Sequence, residues 1–423
     1  MIATLLLVLL LLLLVGVPTA YALAASAIAV IWLEGIPLTI AVQRMTAGVQ
    51  SFPLLAIPLF ILAGTLMNAS GISERLFALT GALVGHIRGG MAYVNVLTNV
   101  FMSGISGSSL ADCAATTRVF VPQMIKHGYD KGFSVGLTAS AAVLAPIIPP
   151  SILLVIYGWQ ANVSIGDLFV AGIVPGLVIA TALVVTVAVM TRLRGFGRGA
   201  AFSAGTLRSA FFDASWALLM PVIIIVGFRM GIFTATEVAA IAAAYAFLVG
   251  LLVYRTLKVL ELPRVFANAA RDTSSILVIA ATAAPFGWIL SIGQAPQQLL
   301  SFLSGVSDNP MLILLLINII LLVLGTFMET LVLIIILVPI LLPLIETLGI
   351  DPVHFGIVMI INLVIGQLTP PLGVLMYVTC GISGTSIGQF MRAIKPFLIA
   401  LIIALLAISY IPALALYPTA LLR

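Results

Sequence analysis

Charge is what this chain has least of. Only 7% of its 423 residues are Asp, Glu, Lys or Arg, against about 25% in soluble domains, and 62% are hydrophobic. That deficit excludes a water-soluble globular protein. Histidine is equally scarce: His86, His127 and His354 are the only three, each near the end of an apolar stretch. With no paired aspartates and no His/Glu ligand set, an intramembrane enzyme has no machinery here, and no organic cofactor is expected. The two cysteines, Cys113 and Cys380, lie in apolar surroundings without metal-ligand spacing and read as free thiols. No Walker loop and no nucleotide fingerprint occur, which sets aside ATP hydrolysis within this chain. No ring-forming pore motif recurs, which disfavours a channel.

What is present is long apolar runs. The stretches 169–190, 311–324 and 397–416 hold almost no charge, and about 20 apolar residues are what a hydrocarbon layer requires. The leucine run within 1–33 resembles a signal-peptide core. No Lys or Arg precedes it and the apolar stretch is too long, so it reads as one or two retained membrane segments. The net charge of +5 is not a nucleic-acid signal, because the basic residues cluster at 192–208 and 255–271, flanking an apolar pair of segments. The positive-inside rule puts both clusters on the cytoplasmic side.

The chain also contains itself twice. Pro122, Gly128 and Asp130 match Pro343, Gly349 and Asp351, all 221 residues apart. Pro149-Pro150 matches Pro370-Pro371, and Pro175 matches Pro396, at the same offset; Ser164-Ile165-Gly166 matches Ser386-Ile387-Gly388 at 222. Tracing spans outward from the cytoplasmic anchors returns Lys126 and Lys131 to the cytoplasm. His86 and Arg88 lie at the other end of segment 91–124. That segment therefore starts and ends on one face, as a re-entrant hairpin with its turn in Ser103–Ser109. The matching segment 311–345 is flanked instead by Asp308, Glu346 and Asp351. Its flanks are acidic where the first are basic, which turns the second repeat upside down. A duplicated, inverted membrane protein implies a site between its halves and two alternating states.

The expected fold is therefore an all-α polytopic membrane protein: two inverted repeats with re-entrant hairpins and discontinuous helices. Its parts are an N-terminal scaffold (1–50), a first repeat (51–191), a linker with a central helix pair joined near 230–233 (192–273), and a second repeat (274–423). Within the first repeat come an arm at 74–84, a hairpin at 91–125, a broken helix at 133–157 and a scaffold helix. Within the second come an arm at 296–303, a hairpin at 311–345, a broken helix at 353–380 and a scaffold helix.

Each repeat holds two places where a helix must fail. One is the hairpin turn, Ser/Gly-rich at 103–109 and Gly-Thr-Phe-Met-Glu-Thr at 325–330. Freed backbone groups there need partners that lipid does not supply. Ser109-Leu110-Ala111-Asp112 and Thr326-Phe327-Met328-Glu329 both match a capping box that restarts a helix. Those two caps are 217 apart, so the repeat slips by one turn here. The other break is the double proline, where a span must unwind. Freed carbonyls with Ser and Thr hydroxyls make an oxygen nest suited to a hard monovalent cation, sodium. Pairing break with break gives two such sites, 103–109 with 146–151 and 325–330 with 367–373. A substrate anion would lie between them, received by helix-start amides and side chains of Ser108, Ser109, Glu329 and Thr330.

At these residues the chain resembles the large membrane (M) subunit of tripartite ATP-independent periplasmic (TRAP) transporters. The likeness rests on Gly-Ile-Ser-Gly-Ser-Ser at 104–109, Pro-Pro-Ser at 149–151 and Gly-Ile-Val-Pro-Gly at 172–176. It extends to Thr-Ala-Thr-Glu at 234–237 and Thr-Pro-Pro-Leu-Gly at 369–373. Ala235 departs from the proline expected there, outside the proposed sites. The resemblance implies an elevator-type, sodium-coupled importer of small organic acids such as C4-dicarboxylates, keto acids or sialic acids. It implies the bacterial inner membrane, a four-helix membrane (Q) subunit and a periplasmic binding (P) protein as partners. It also places one sodium ion at Ser103, Ser106 and Pro149 and another at Gly325, Met328 and Thr369, mainly through backbone oxygens. The alternative is a self-sufficient sodium/carboxylate carrier of related architecture, which needs no partner.

Overall fold

The computed structural model describes every residue except 198, 200, 230–232, 306, 308 and 423, and among the described residues it is helical throughout, without a strand. Among the described residues, eight helices are long and apolar enough to cross a membrane. The N-terminal segment is two helices, Ile2–Leu14 and Thr19–Leu33, parted by Gly16 in a left-handed conformation and by Pro18 at the second helix's N-cap. The central pair is Ala204–Arg229 and Ala235–Leu248. Most of its expected junction, together with the flanking Asp308 of the second hairpin, lies outside the described residues. The last apolar run divides at Ile411-Pro412 into Ile387–Tyr410 and a short Ala413–Leu422.

The repeated residues prove to be turns and caps. Gly128 (φ +81°) and Gly349 (φ +70°) both follow a hairpin in the left-handed region, where a side chain is disfavoured. Asp130 accepts the Phe133 amide at 2.9 Å and Asp351 the Val353 amide at 2.8 Å, each capping a broken helix. Ser164 and Ser386 cap the long helices Ile165–Arg194 and Ile387–Tyr410. The double prolines sit in the two unwound stretches, and both Pro-Pro bonds are cis.

Those caps frame two matching sets. The first hairpin is Gly90–Ser106 with Ser109–Lys126, and its broken helix is Lys131–Ala141 followed, after the break, by Ile152–Ala161. The second hairpin is Pro310–Phe327 with Thr330–Thr347, and its broken helix is Pro352–Gly366 followed by Val374–Ser383. Helices Ile72–Val84 and Ala295–Ser304 precede the two hairpins.

The bases of the two hairpins lie at opposite ends of the molecule. Around the first, the Gly89 amide donates to Gly197, Arg194 pairs with Asp130 at 3.6 Å, and Lys131 donates to the Gly384 carbonyl. Around the second, Tyr157 donates to the Pro352 carbonyl and Tyr410 to that of Met311. Helix Ile165–Arg194, about 45 Å long at 1.5 Å per residue, joins these ends. The halves also cross over: Cys113 meets Thr379 at 2.9 Å, and Gln160 donates to the Ile335 carbonyl. Each second hairpin arm therefore packs on the other half's post-proline helix.

Candidate functional site

Both hairpin tips rest against the unwound proline stretch of their own half. At the first tip Gly107 turns in the left-handed region (φ +60°), and a Cβ there would lie 2.7 Å from the Pro150 carbonyl oxygen. Ser108 is the N-cap of the restarted helix, accepting the Ala111 amide. At the second tip the Thr326 carbonyl accepts the amides of Leu372 and Gly373, at 3.0 and 3.1 Å. A Cβ on Gly325 would lie 2.6 Å from the Leu363 carbonyl oxygen. Gly172 and Gly176 serve the first break from outside, letting the long helix press on Ile147 and Ile148.

These tips correct two sequence readings. Thr326 starts no capping box: it lies in the last turn of the first arm, its hydroxyl donating to Val323 at 2.7 Å. The helix breaks two residues later because the unwound stretch takes the Thr326 carbonyl. In the first half the cap is Ser108, not Ser109. The true N-caps, Ser108 and Glu329, are 221 residues apart. The repeat therefore does not slip at the tips; Ser108 corresponds to Glu329 and Ser109 to Thr330.

Each expected cation residue has a definite place. Ser103 is buried and its hydroxyl donates to the Asn99 carbonyl at 2.5 Å. Thr369 likewise donates to Gly366 at 2.9 Å. A hydroxyl that gives its proton to a carbonyl keeps its lone pairs for another partner. Ser106 accepts the Ser108 amide at 3.4 Å. The Pro149 carbonyl lies 3.6 Å from where a Cβ on Gly104 would be, so Ser103, Ser106 and Pro149 bracket one small-residue turn. Met328 is the extended residue linking the second hairpin's arms, and Gly325 abuts Leu363 and Gly366.

Asp112 is the residue that sequence reasoning passed over. It had the appearance of a capping partner, but with Ser108 as N-cap it stands one residue beyond the capping position. Its side chain is 1% exposed, neither carboxylate oxygen has a close hydrogen-bond partner among the described residues, and the Ser106 side chain lies near enough to interact with it. Burying an uncompensated carboxylate is costly, and this one sits in the first turn behind Ser106. An acidic residue in an apolar segment, next to a turn of small residues, was the signal available in the sequence.

Ser108, Ser109, Glu329 and Thr330 all line one cavity of about 90 Å³ between the two tips. Thr330 is buried and accepts a 2.9 Å hydrogen bond from Gln367, which lines the same cavity. Ile152 and Val374, the first residues after the two proline breaks, line it too. The first turns of four helices thus converge on one space, two from the hairpins and two from the broken helices. Each brings free amides and a positive dipole end, an arrangement suited to an anion.

Comparison with known proteins gives the family. The family model described as the tripartite ATP-independent periplasmic transporter, DctM component, matches residues 6–414. The sialic acid TRAP transporter large permease protein SiaM of Vibrio cholerae is 39% identical over 94% of this chain and 93% of its own length. The isethionate TRAP transporter permease protein DctMQ of Oleidesulfovibrio alaskensis is 39% identical over 95% of this chain, which spans 64% of that longer protein. Among solved structures, the YdaH transporter of Alcanivorax borkumensis matches in fold, with a TM-score of 0.62 at 14% identity over 88% of this chain and 87% of its own. The chain therefore belongs to the DctM family of TRAP transporters, as a large permease component that is a transporter subunit rather than an enzyme and a multi-pass protein of the bacterial inner membrane.

Proposed function

We propose that this chain carries out sodium-coupled transport of a small organic acid anion, as the large membrane subunit of a three-component importer. The convergence of four helix starts on the cavity between the hairpin tips carries the reading. A substrate carboxylate would take the free amides there, with Ser108, Ser109 and Thr330 adding hydroxyls. Glu329, exposed at the same cavity, would accept from hydroxyl groups of the bound acid.

Sodium would sit behind each tip. At the first, Ser103, Ser106 and Pro149 supply oxygens and the buried Asp112 carboxylate beside Ser106 supplies the balancing charge. At the second, Gly325, Met328 and Thr369 supply oxygens without a carboxylate. Oxygen donors of this kind suit a hard cation. Filling both sites would tie each tip to its proline stretch and organise the amides between them.

The halves 51–191 and 274–423 are read as inverted-topology repeats, with 1–50 and 192–273 completing the frame. The two hairpins and two broken helices would move as one body against the long helices, in an elevator cycle. A small membrane subunit and a periplasmic binding protein complete the importer, since DctM is one component of a tripartite system.

The test is uptake into proteoliposomes of radiolabelled sialic acid, isethionate and a C4-dicarboxylate. One acid is expected to enter only when both other components are present. Uptake by this chain alone would overturn the three-component reading in favour of a self-sufficient carrier.

A further inference from the structure

The turn joining the central helix pair to helix Leu262–Ile292 leaves apolar side chains outside the fold. Helix Ala235–Leu248 ends in one π-helical turn, Val249–Val253, and a 3-10 turn, Val259–Glu261, leads into the next helix. The inner side of this connection is fastened down. Thr256 donates to the Ser70 carbonyl at 2.9 Å, the Tyr254 ring lies 3.8 Å from the Arg75 guanidinium, and Leu257 is buried.

The neighbours of those three residues are left outside. Leu252 is 61% exposed, Val259 66% and Leu260 92%, the highest value among the large apolar residues described. Arg255, Lys258 and Arg264 are exposed among them. One acid lies in the same stretch, Glu261, which pairs with Lys258 at 3.9 Å. Arg75 and Asp213, both close to Tyr254, offset one another. Three cations against one anion leave the outer surface basic, and the positive-inside rule makes this the cytoplasmic end.

The level of the turn follows from the hairpins. They enter from opposite ends, which puts their tips near the middle of the bilayer. Ile276 lines the cavity between those tips, and Leu262 stands 14 residues before it, about 21 Å along the helix. Headgroups occupy the layer from about 15 to about 22 Å from the middle. Apolar side chains interleaved with basic ones at this level have the chemistry of an interfacial anchor.

We propose that residues 252–264 anchor the chain to anionic phospholipid of the cytoplasmic leaflet. Val259 and Leu260 enter the boundary between headgroups and acyl chains, where both leave water. Arg255, Lys258 and Arg264 take the lipid phosphates. A guanidinium offers a phosphate two parallel hydrogen bonds, and Arg255 commits only its Nε, to the Leu252 carbonyl at 3.3 Å. The negative potential of the leaflet draws these side chains in, and salt weakens the attraction. The anchor lies outside both hairpins, so it does not depend on which acid is carried.

The test places a bimane fluorophore on Leu260→Cys; the parent's Cys113 and Cys380 are buried and supply the background. The full chain with both partner components is reconstituted in phosphatidylcholine mixed with phosphatidylglycerol. A nitroxide is carried on the acyl chain of one lipid or the other, at equal mole fraction. Both lipids should quench the fluorophore, and phosphatidylglycerol about two-fold more. That excess should shrink as salt is raised. It should vanish, with quenching retained, when Arg255→Gln, Lys258→Gln and Arg264→Gln are combined. No quenching by either lipid would overturn the anchor and leave Leu260 in water or beneath a partner subunit. Equal quenching by the two lipids, or an excess indifferent to salt and to the three substitutions, would overturn the phosphate contacts.

Discussion

Asp112→Asn gives the sharpest thermodynamic test of the first cation site. The parent buries a carboxylate that has no close hydrogen-bond partner among the described residues, with the Ser106 side chain beside it, at a cost of several kcal/mol when no charge balances it. A bound cation relieves that cost; asparagine keeps the volume and removes the charge. In sodium-free choline buffer the variant should therefore melt no lower than the parent. Sodium should act in the opposite sense. At about 100 times its dissociation constant, each ion stabilises the folded state by about 2.7 kcal/mol, so two sites give about twice that. Asp112→Asn should lose about half of this response, keeping only the part from the second tip. The assay is the apparent melting midpoint of purified protein at a fixed scan rate. Choline is exchanged stepwise for sodium at constant ionic strength, so that screening does not change. A variant that keeps the full sodium response, or melts lower in both salts, would refute the placement of an ion beside Asp112.

Three further outcomes are expected. Thr369→Val, which removes a hydroxyl with little change in volume, should raise the sodium concentration for half-maximal uptake about ten-fold, whereas Thr369→Ser should stay near the parent. Gly325→Val should destabilise by about 1–3 kcal/mol and abolish uptake, because its Cβ would press on the Leu363 backbone. Gly381→Ala, with open space around it, is the matched control in thermal denaturation. Gln367→Leu removes the 2.9 Å hydrogen bond to Thr330 and should raise KM for the acid about five-fold, as for loss of about 1 kcal/mol, with the sodium dependence unchanged.

Local conformational demands were legible in the sequence, and long-range ones were not. Gly128 and Gly349 are repeated because each must turn left-handed, and Asp130 and Asp351 because each caps a helix. Both are requirements of a few neighbouring residues. The double prolines announced their breaks for the same reason. The exact tips were misread because Thr326-Phe327-Met328-Glu329 satisfies a capping pattern locally. The decisive partners, the Leu372 and Gly373 amides, lie more than 40 residues away. Asp112 was hidden by the same misregister. The helix starts at Ile152 and Val374 follow from the prolines, but their meeting with Ser109 and Thr330 at one cavity is visible only in three dimensions.

The most direct test is acid uptake driven by sodium alone. Proteoliposomes holding this chain with both partner components are loaded without sodium and diluted into sodium buffer, with no ATP and no pH difference. The acid should accumulate above its outside concentration and leak back when a sodium ionophore collapses the gradient. Accumulation that is indifferent to the gradient, or that persists after its collapse, would contradict sodium coupling at the two hairpin tips.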